Sequence, residues 1–307
     1  MKVLLINIDS KLPNIALKKI ELWHKNQDDE VIWDMPMQIN EVDKVYASCI
    51  FTSNKWQCEQ YKGLRGDTVI GGTGYDLTIK LPTEIDNMKP KINYGFTTRG
   101  CIRKCPFCFV WKSEGHIRIV GDLYDIWDGK CKKVTLLDNN ILAAPEHFKI
   151  ICTQIRKENI KVDFNQGLDI RLLTPELADV LNSTPTADLR FAFDSPSLES
   201  IVRTKIAMLR QHSKKRPFVY VLVGFDTTFE EDLHRLNVLK ELGCRAYVMR
   251  HENTPNRLIY IRLAEWANQF WTFAKYTFED FCYYRNIDRL PKSRKPILDQ
   301  HSMMEDM

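Results

Sequence analysis

Phe218-Val219-Tyr220-Val221-Leu222-Val223-Gly224-Phe225-Asp226-Thr227-Thr228-Phe229-Glu230-Glu231-Asp232-Leu233 holds one complete unit of the fold. Its first six residues are an unbroken apolar run rich in β-branched and aromatic side chains, which reads as a strand. Gly224 ends the run. Thr228 stands three residues before Glu231, the spacing of a capping box. Leu233, Leu236 and Leu239 then recur at helical intervals and are expected to face inward.

The same unit repeats on both sides of this stretch. Ile92–Thr97 reads as a first strand and Lys133–Leu137 as a second, followed by a helix over Pro145–Glu158 with Phe148, Ile151 and Ile155 on one face. Lys161–Phe164 is a third strand, with Thr174 as N-cap and Pro175 at the first helical position behind it. Leu189–Phe193 is a fourth, and Ser195-Pro196 opens the next helix in the same way. Beyond the quoted stretch, Arg245–Met249 is a sixth strand, with a helix near Asn256–Phe270. Six strand–helix units over residues 86–270 predict a partial (βα)6 barrel of the TIM type. Function in such barrels sits at the C-terminal ends of the strands.

Residues 1–85 predict a small flavodoxin-like or Rossmann-like α/β domain. Lys2–Ile8, Val31–Trp33, Val45–Phe51 and Asp67–Ile70 read as strands, the last ending in Gly71-Gly72. Asn14–Asn26 reads as a helix with Ile15, Leu17 and Ile20 inward. Pro82–Pro90 is polar, carries two prolines, and reads as a linker. Residues 271–307 form an extension, first aromatic (Phe273, Tyr276, Phe278, Phe281, Tyr283, Tyr284), then basic (Arg285, Arg289, Lys292, Arg294, Lys295).

A net charge of +4 over 307 residues is too mild to imply nucleic-acid binding by itself. The longest apolar run, Phe218–Val223, cannot span a membrane. Asn7 and Asp9 cut the apolar N-terminus short of a signal peptide. A cytoplasmic location follows as the expectation. With no export signal, the nine cysteines do not read as a disulfide framework.

Three of those nine crowd into Arg99-Gly100-Cys101-Ile102-Arg103-Lys104-Cys105-Pro106-Phe107-Cys108, directly after the first barrel strand. Thiolates are the usual ligands of iron–sulfur clusters. Gaps of three and two residues let one loop supply three ligands to a cubane and leave one iron open, which suits catalysis. Gly100 permits a tight turn beside it. Zinc is the competing occupant, with His116 as fourth ligand, but structural zinc sites usually pair their cysteines as two knuckles. A ferredoxin-like electron carrier fits poorly with so large a barrel.

This Cys-x3-Cys-x2-Cys loop, with an aromatic (Phe107) before the third cysteine, resembles the signature of the radical S-adenosylmethionine (SAM) superfamily. The resemblance implies a 4Fe-4S cluster on Cys101, Cys105 and Cys108. It further implies SAM chelated by the open iron and cleaved to methionine and a 5'-deoxyadenosyl radical that abstracts a substrate hydrogen. It also places SAM contacts at the other strand ends: Phe107 beside the cluster, and Asp138, Asn139 and Asn140 where the family bonds the amino group. Asp194 and Ser195 fall at ribose or carboxylate, the Gly224 backbone at adenine, and Met249 against adenine. Asn165, Gln166, Asp169 and Arg171 follow the third strand. Arg203 and Lys205 are candidates for the SAM carboxylate, and Arg250, His251 and Glu252 for substrate. Ser195 also fits a plain N-cap, and Asp138–Asn140 a polar turn.

Residues 1–85 loosely resemble the cobalamin-binding domain of one branch of the superfamily. With about four strands and no Asp-x-His-x-x-Gly element, the domain is expected not to hold cobalamin; the alternative is a cobalamin-dependent methyltransferase. The chain resembles tRNA methylthiotransferases poorly, since its N-terminal region has only Cys49 and Cys58 in place of a second three-cysteine cluster. Only Cys244 and Cys282 lie late in the chain, so no auxiliary cluster is expected. The partners implied are a reductant such as flavodoxin or ferredoxin and an unidentified substrate. From a different class, a zinc-bearing module could bind RNA through the aromatic and basic tail.

Overall fold

Four consecutive residues of the first strand, Val3 to Ile6, are buried, so their sheet is covered on both faces. The computed structural model describes residues 1–251, 254 and 257–284. They pack as two units: Met1–Lys104 with Cys108–Asp138, and Cys105–Phe107 with the described residues from Asn139 on. The class is the one expected, mixed α/β with parallel sheets.

The first unit begins β1 (Lys2–Asn7), α1 (Ile15–Lys25), β2 (Glu30–Trp33), β3 (Lys44–Ser48), α2 (Lys55–Leu64), β4 (Val69–Gly71). Its strands are all parallel in the order β2-β1-β3-β4. That order is flavodoxin-like, with the topological switch between β1 and β3. Val3, Leu5 and Tyr46 meet Leu17 and Ile20 of α1 on one face. Leu4, Ile6, Val45 and Ala47 meet Cys49, Cys58 and Ile70 on the other. Asn14 caps α1 by accepting from the Leu17 amide at 3.2 Å. The next inward position on α1 is His24, fully buried and hydrogen-bonded to Asp29 (2.6 Å) and the Tyr46 hydroxyl (3.1 Å), while Ile15 is half-buried.

Helix α2 was not expected from the sequence. Cys58 is its one buried residue, Trp56 and Leu64 are exposed, and no side chain caps it, so it carries almost no helical signature. The linker Pro82–Pro90 contains a short helix, α3 (Thr83–Asp86), that buries Ile85.

The first unit continues β5 (Tyr94–Gly95), β6 (Thr98–Arg99), α4 (Val110–Ser113), β7 (Arg118–Ile119), β8 (Lys133–Leu136). β5 pairs parallel with β8. The expected strand over Ile92–Thr97 is shorter. Asn93 has a positive φ of 61°, and past Gly95 the chain pairs antiparallel, Thr98 with Ile119 and Arg99 with Arg118.

The second unit runs α5 (Pro145–Lys157), β9 (Lys161–Phe164), α6 (Pro175–Ser183), β10 (Leu189–Ala192), α7 (Glu199–His212), β11 (Pro217–Val223), α8 (Phe229–Glu241), β12 (Arg245–Arg250), α9 (Arg257–Ala267), α10 (Phe270–Lys275), α11 (Phe278–Tyr284). β10, β11 and β12 form a parallel sheet, and bridges at Val162–Thr186 and Leu168–Phe191 lead toward it from β9. On β11, Val219, Val221 and Val223 are buried while Phe218, Tyr220 and Leu222 are half-buried. The half-buried rings of Phe218 and Tyr220 lie edge to face at 5.3 Å, next to Tyr247 of β12.

Thr174 caps α6, and the Thr228–Glu231 capping box closes on α8, as the sequence indicated. The inward face of α8 differs. Leu236 and Leu239 are buried, but Leu233 is half-buried, and Asp232 and Arg235 share the inward stripe. Of the aromatic extension, Phe273, Phe278 and Phe281 are core residues, Phe273 and Phe278 against the Trp266 ring of α9, and Trp271 is exposed. Glu252 and the basic residues Arg285, Arg289, Lys292, Arg294 and Lys295 lie outside the described residues. Among the described residues, no helix is long and apolar enough to cross a membrane.

Candidate active site

In the first unit, the segment that leads into the cysteine loop has a pinned base. Arg99 grips Glu114 with two hydrogen bonds, one at 2.8 Å, and Arg118 donates to the Glu114 carbonyl at 2.6 Å. The Cys101 amide donates to the Gly115 carbonyl at 3.1 Å. Gly100 has φ +86°, and a Cβ there would lie 2.3 Å from the His116 carbonyl oxygen, so only glycine fits. The main chain at His116 thus lies directly against Gly100.

Cys101, Cys105 and Cys108 are all half-buried and none is in a disulfide. The Arg103 amide donates to the Cys101 sulfur at 3.3 Å. Among the described residues, no group of three or more His, Cys, Asp or Glu side chains is gathered as a metal site. The case for a cluster is therefore chemical: three thiols on one pinned loop are the donor set a cubane takes.

Asp138, two residues past β8, holds the stem of that loop. Its Oδ1 accepts from the Thr97 amide (3.1 Å) and hydroxyl (2.8 Å), and from the Thr98 hydroxyl (2.7 Å) and amide. Both threonines are fully buried, and Asp138 is 4% exposed. Its Oδ2 is buried without a hydrogen-bond partner among the described residues. Burial pushes the Asp138 carboxyl up from its ordinary value, against the pull of the threonine donors.

In the second unit, four of the expected SAM residues gather at the C-terminal end of β11. The Phe107 ring meets Phe225 at 5.5 Å, and Phe225 meets His251 at 4.9 Å. The Leu222 amide donates to Asp194 Oδ1 at 3.0 Å. Met249 pairs in register with Leu222 and is 38% exposed. Gly224 has φ +72°, and a Cβ there would lie 2.4 Å from Thr254 Cγ2, so the space above it is filled by the chain itself. Burial raises the Asp194 carboxyl, countered by the Leu222 amide and by the charges of Arg235 and Arg171.

Arg235 and Asp232 escaped the sequence reading. Both are fully buried and ion-paired. Their signal was present, since an i,i+3 pair in phase with Leu236 and Leu239 must face inward.

Asn140 is buried and donates to Asp169 at 3.4 Å; Asn139 is half-buried. Asp169 holds Arg171 through two bonds of 2.6 and 3.0 Å. Burial lowers the Arg171 pKa, but Asp169 outweighs it and the net shift is upward, with Cys105 and Asp194 adding to it. The Ser195 oxygen accepts from the Ser197 amide as an N-cap. Arg203 is engaged by Glu199 and Glu241, and Lys205 donates to the Leu173 carbonyl.

No protein-family model matches this sequence, and no curated protein matches it. Among solved structures, the chain is similar to the radical S-adenosylmethionine methyltransferase TsrM from Kitasatospora setae, solved with cobalamin and a 4Fe-4S cluster bound. The TM-score is 0.62 at 11% identity, over 81% of this chain and 72% of that one. At that identity the likeness is one of fold.

Proposed function

We propose that this chain is a radical SAM enzyme in which Cys101, Cys105 and Cys108 hold a 4Fe-4S cluster. The observation that carries it is the Cys-x3-Cys-x2-Cys loop itself, three half-buried thiols on a base pinned by Gly100, Arg99 and Asp138. The shared fold with a radical SAM methyltransferase supports it. A cluster held by these three thiols would supply one-electron reduction to a sulfonium ligand such as SAM, the chemistry that opens radical hydrogen abstraction. The residues of the chain bind and orient. Asp194 offers Oδ2 to a ligand hydroxyl, since its Oδ1 is taken by Leu222. Phe107 and Met249 offer apolar surface to a base, beside the strand end at Gly224. A flavodoxin or ferredoxin serves as reductant.

Protein purified without oxygen is expected to be brown and to carry about four irons per chain, as one cubane requires. The triple replacement Cys101→Ala, Cys105→Ala, Cys108→Ala is expected to lose them while keeping its far-UV spectrum. Full iron content in that variant, or zinc alone in the parent, overturns the assignment.

We further propose that the first unit holds no cobalamin. At the switch point between β1 and β3, Asp9 accepts from the amides of Ile50 (2.8 Å) and Phe51 (3.0 Å) and from Asn54 (3.1 Å). A Cβ on Gly74 would lie 2.5 Å from the Phe51 backbone, so these loops close on one another. One observation favours the second reading, a cobalamin-dependent methyl transfer: Ile50, Phe51 and Trp56, exposed by 39%, 58% and 58%, follow β3 near that same edge. Equilibrium dialysis against hydroxocobalamin decides. Stoichiometric retention refutes the first reading.

A further inference from the structure

Two side chains of α8 reach the ends of β10 and β11 from behind. Arg235 donates through Nη1 to the Phe193 carbonyl at 2.5 Å and through Nη2 to the Leu222 carbonyl at 2.8 Å. Nη2 also pairs with Asp232. Asp232 Oδ2 accepts from the Gly224 amide at 2.8 Å, and its Oδ1 from the Thr227 hydroxyl at 2.7 Å. Phe193, Asp232 and Arg235 are all 0% exposed, and the guanidinium carbon lies 5.8 Å from the Phe193 ring centroid.

Two buried side chains therefore fix three main-chain groups: the carbonyl before Asp194, the carbonyl of Leu222, and the amide of Gly224. Leucines already pack α8 against its sheet. A buried ion pair generally adds little net stability over an apolar pair of the same volume. What it adds is direction. On the side of β10, whose pairing ends at Ala192, the last main-chain groups of β11 have no strand partner to set their orientation; there α8 sets it. Leu222 stays in register with Met249 of β12, but on its β10 side its amide donates to the Asp194 side chain. That bond leaves Asp194 Oδ2 without a hydrogen bond among the described residues.

We propose that Arg235 and Asp232 are positioning residues for the nucleoside of SAM, holding the Asp194 carboxyl and the end of β11 at Leu222 in the orientation that receives it. This rests on the radical SAM assignment above. Neither residue touches the ligand. Both act through the peptide groups they hold.

The test uses the full chain with its cluster reconstituted anaerobically, and titrates SAM by calorimetry into the parent, Arg235→Lys and Thr227→Val. Lysine keeps a positive charge beside Asp232, but one ammonium on a flexible stem lacks the planar fork that spans both carbonyls and the carboxylate. Thr227→Val leaves the ion pair intact and removes one hydrogen bond from it. Arg235→Lys is expected to weaken SAM binding about tenfold or more, and Thr227→Val about two- to fivefold, the range one or two misdirected hydrogen bonds produce. Amide hydrogen exchange at Leu222 and Gly224 is expected to speed up in both, at temperatures well below the melting transition. A purely stabilising role predicts otherwise: a lower melting temperature with parental SAM affinity in the folded protein. That result overturns the proposal. If Arg235→Lys does not fold, Thr227→Val decides by the same criterion. A parent that carries four irons yet binds no SAM removes the assignment and the proposal together.

Discussion

Replacing Asp138 by alanine strands the two backbone donors it serves. The Thr97 and Thr98 amides are buried, and Asp138 Oδ1 is the acceptor of both. A buried donor left unsatisfied costs about 1–3 kcal/mol, so the pair costs about 2–6 kcal/mol. The threonine hydroxyls can rotate toward other acceptors and add less. Against this, the substitution removes an oxygen, Oδ2, that is itself buried without a partner, which returns about 1–3 kcal/mol. Taking the middle of each range, the net expectation for Asp138→Ala is a loss of about 2 kcal/mol, within a domain stability of about 5–15 kcal/mol, so the variant folds. Asparagine keeps an acceptor oxygen for the same donors, and Asp138→Asn is expected within about 1 kcal/mol of the parent at pH 7. Urea unfolding followed by far-UV circular dichroism gives both numbers. A pH series adds a second check. Burial raises the folded-state pKa of Asp138 above its ordinary 3.8, so the native chain keeps a proton that the unfolded chain has released. Its contribution is fully present below 3.8 and is lost as pH rises through the folded value. The asparagine variant lacks that slope. Equal stability of the alanine and asparagine variants, or a parent slope that survives in Asp138→Asn, refutes the clamp.

Gly224→Ala is expected to destabilise by at least about 1–2 kcal/mol from its left-handed backbone alone, with a steric share from Thr254 that the added change Thr254→Gly recovers; full recovery in the double variant contradicts the backbone share. Asp128 accepts from the Lys130 and Cys131 amides at 2.9 and 2.8 Å and from Asn93 at 2.9 Å, which lowers its pKa from 3.8 to about 2. Its stabilisation is therefore present above 3.8 and fades as pH falls toward 2. The stability gap between the parent and Asp128→Asn should close over that interval, and a gap independent of pH counts against it.

The strand–helix rhythm was legible because periodicity and caps are local. Thr174, Thr228 and Glu231 announce helix starts within four residues, and the β11 run ends where Gly224 takes a left-handed conformation. α2 was not legible, since it buries one cysteine and exposes its larger apolar residues. The first barrel strand was overextended because what stops it is not local: Asp138, some forty residues on, collects the Thr97 and Thr98 donors. The same holds for α8. Its leucines have a helical period, but only the three-dimensional structure shows two strand ends waiting behind Asp232 and Arg235. Phe107 was singled out by its place before the third cysteine, and Asp194, Gly224 and Met249 by position at a strand end, which could not show that Thr254 occupies the space over Gly224.

The antiparallel ribbon of Thr98–Arg99 with Arg118–Ile119 closes the cysteine loop at its neck. A loop of that length, once closed, has already met its closure entropy from protein contacts, and lengthening it further would change that cost only slowly. For whatever the loop binds, its thiols then behave as tethered reactants at an effective concentration in the millimolar range or above. Loosening the neck at Arg99 or Gly100 would leave each thiol chemically unchanged. It would dilute the three with respect to one another, and the loss would appear in the rate and completeness of loading long before it appeared in the stability of the fold.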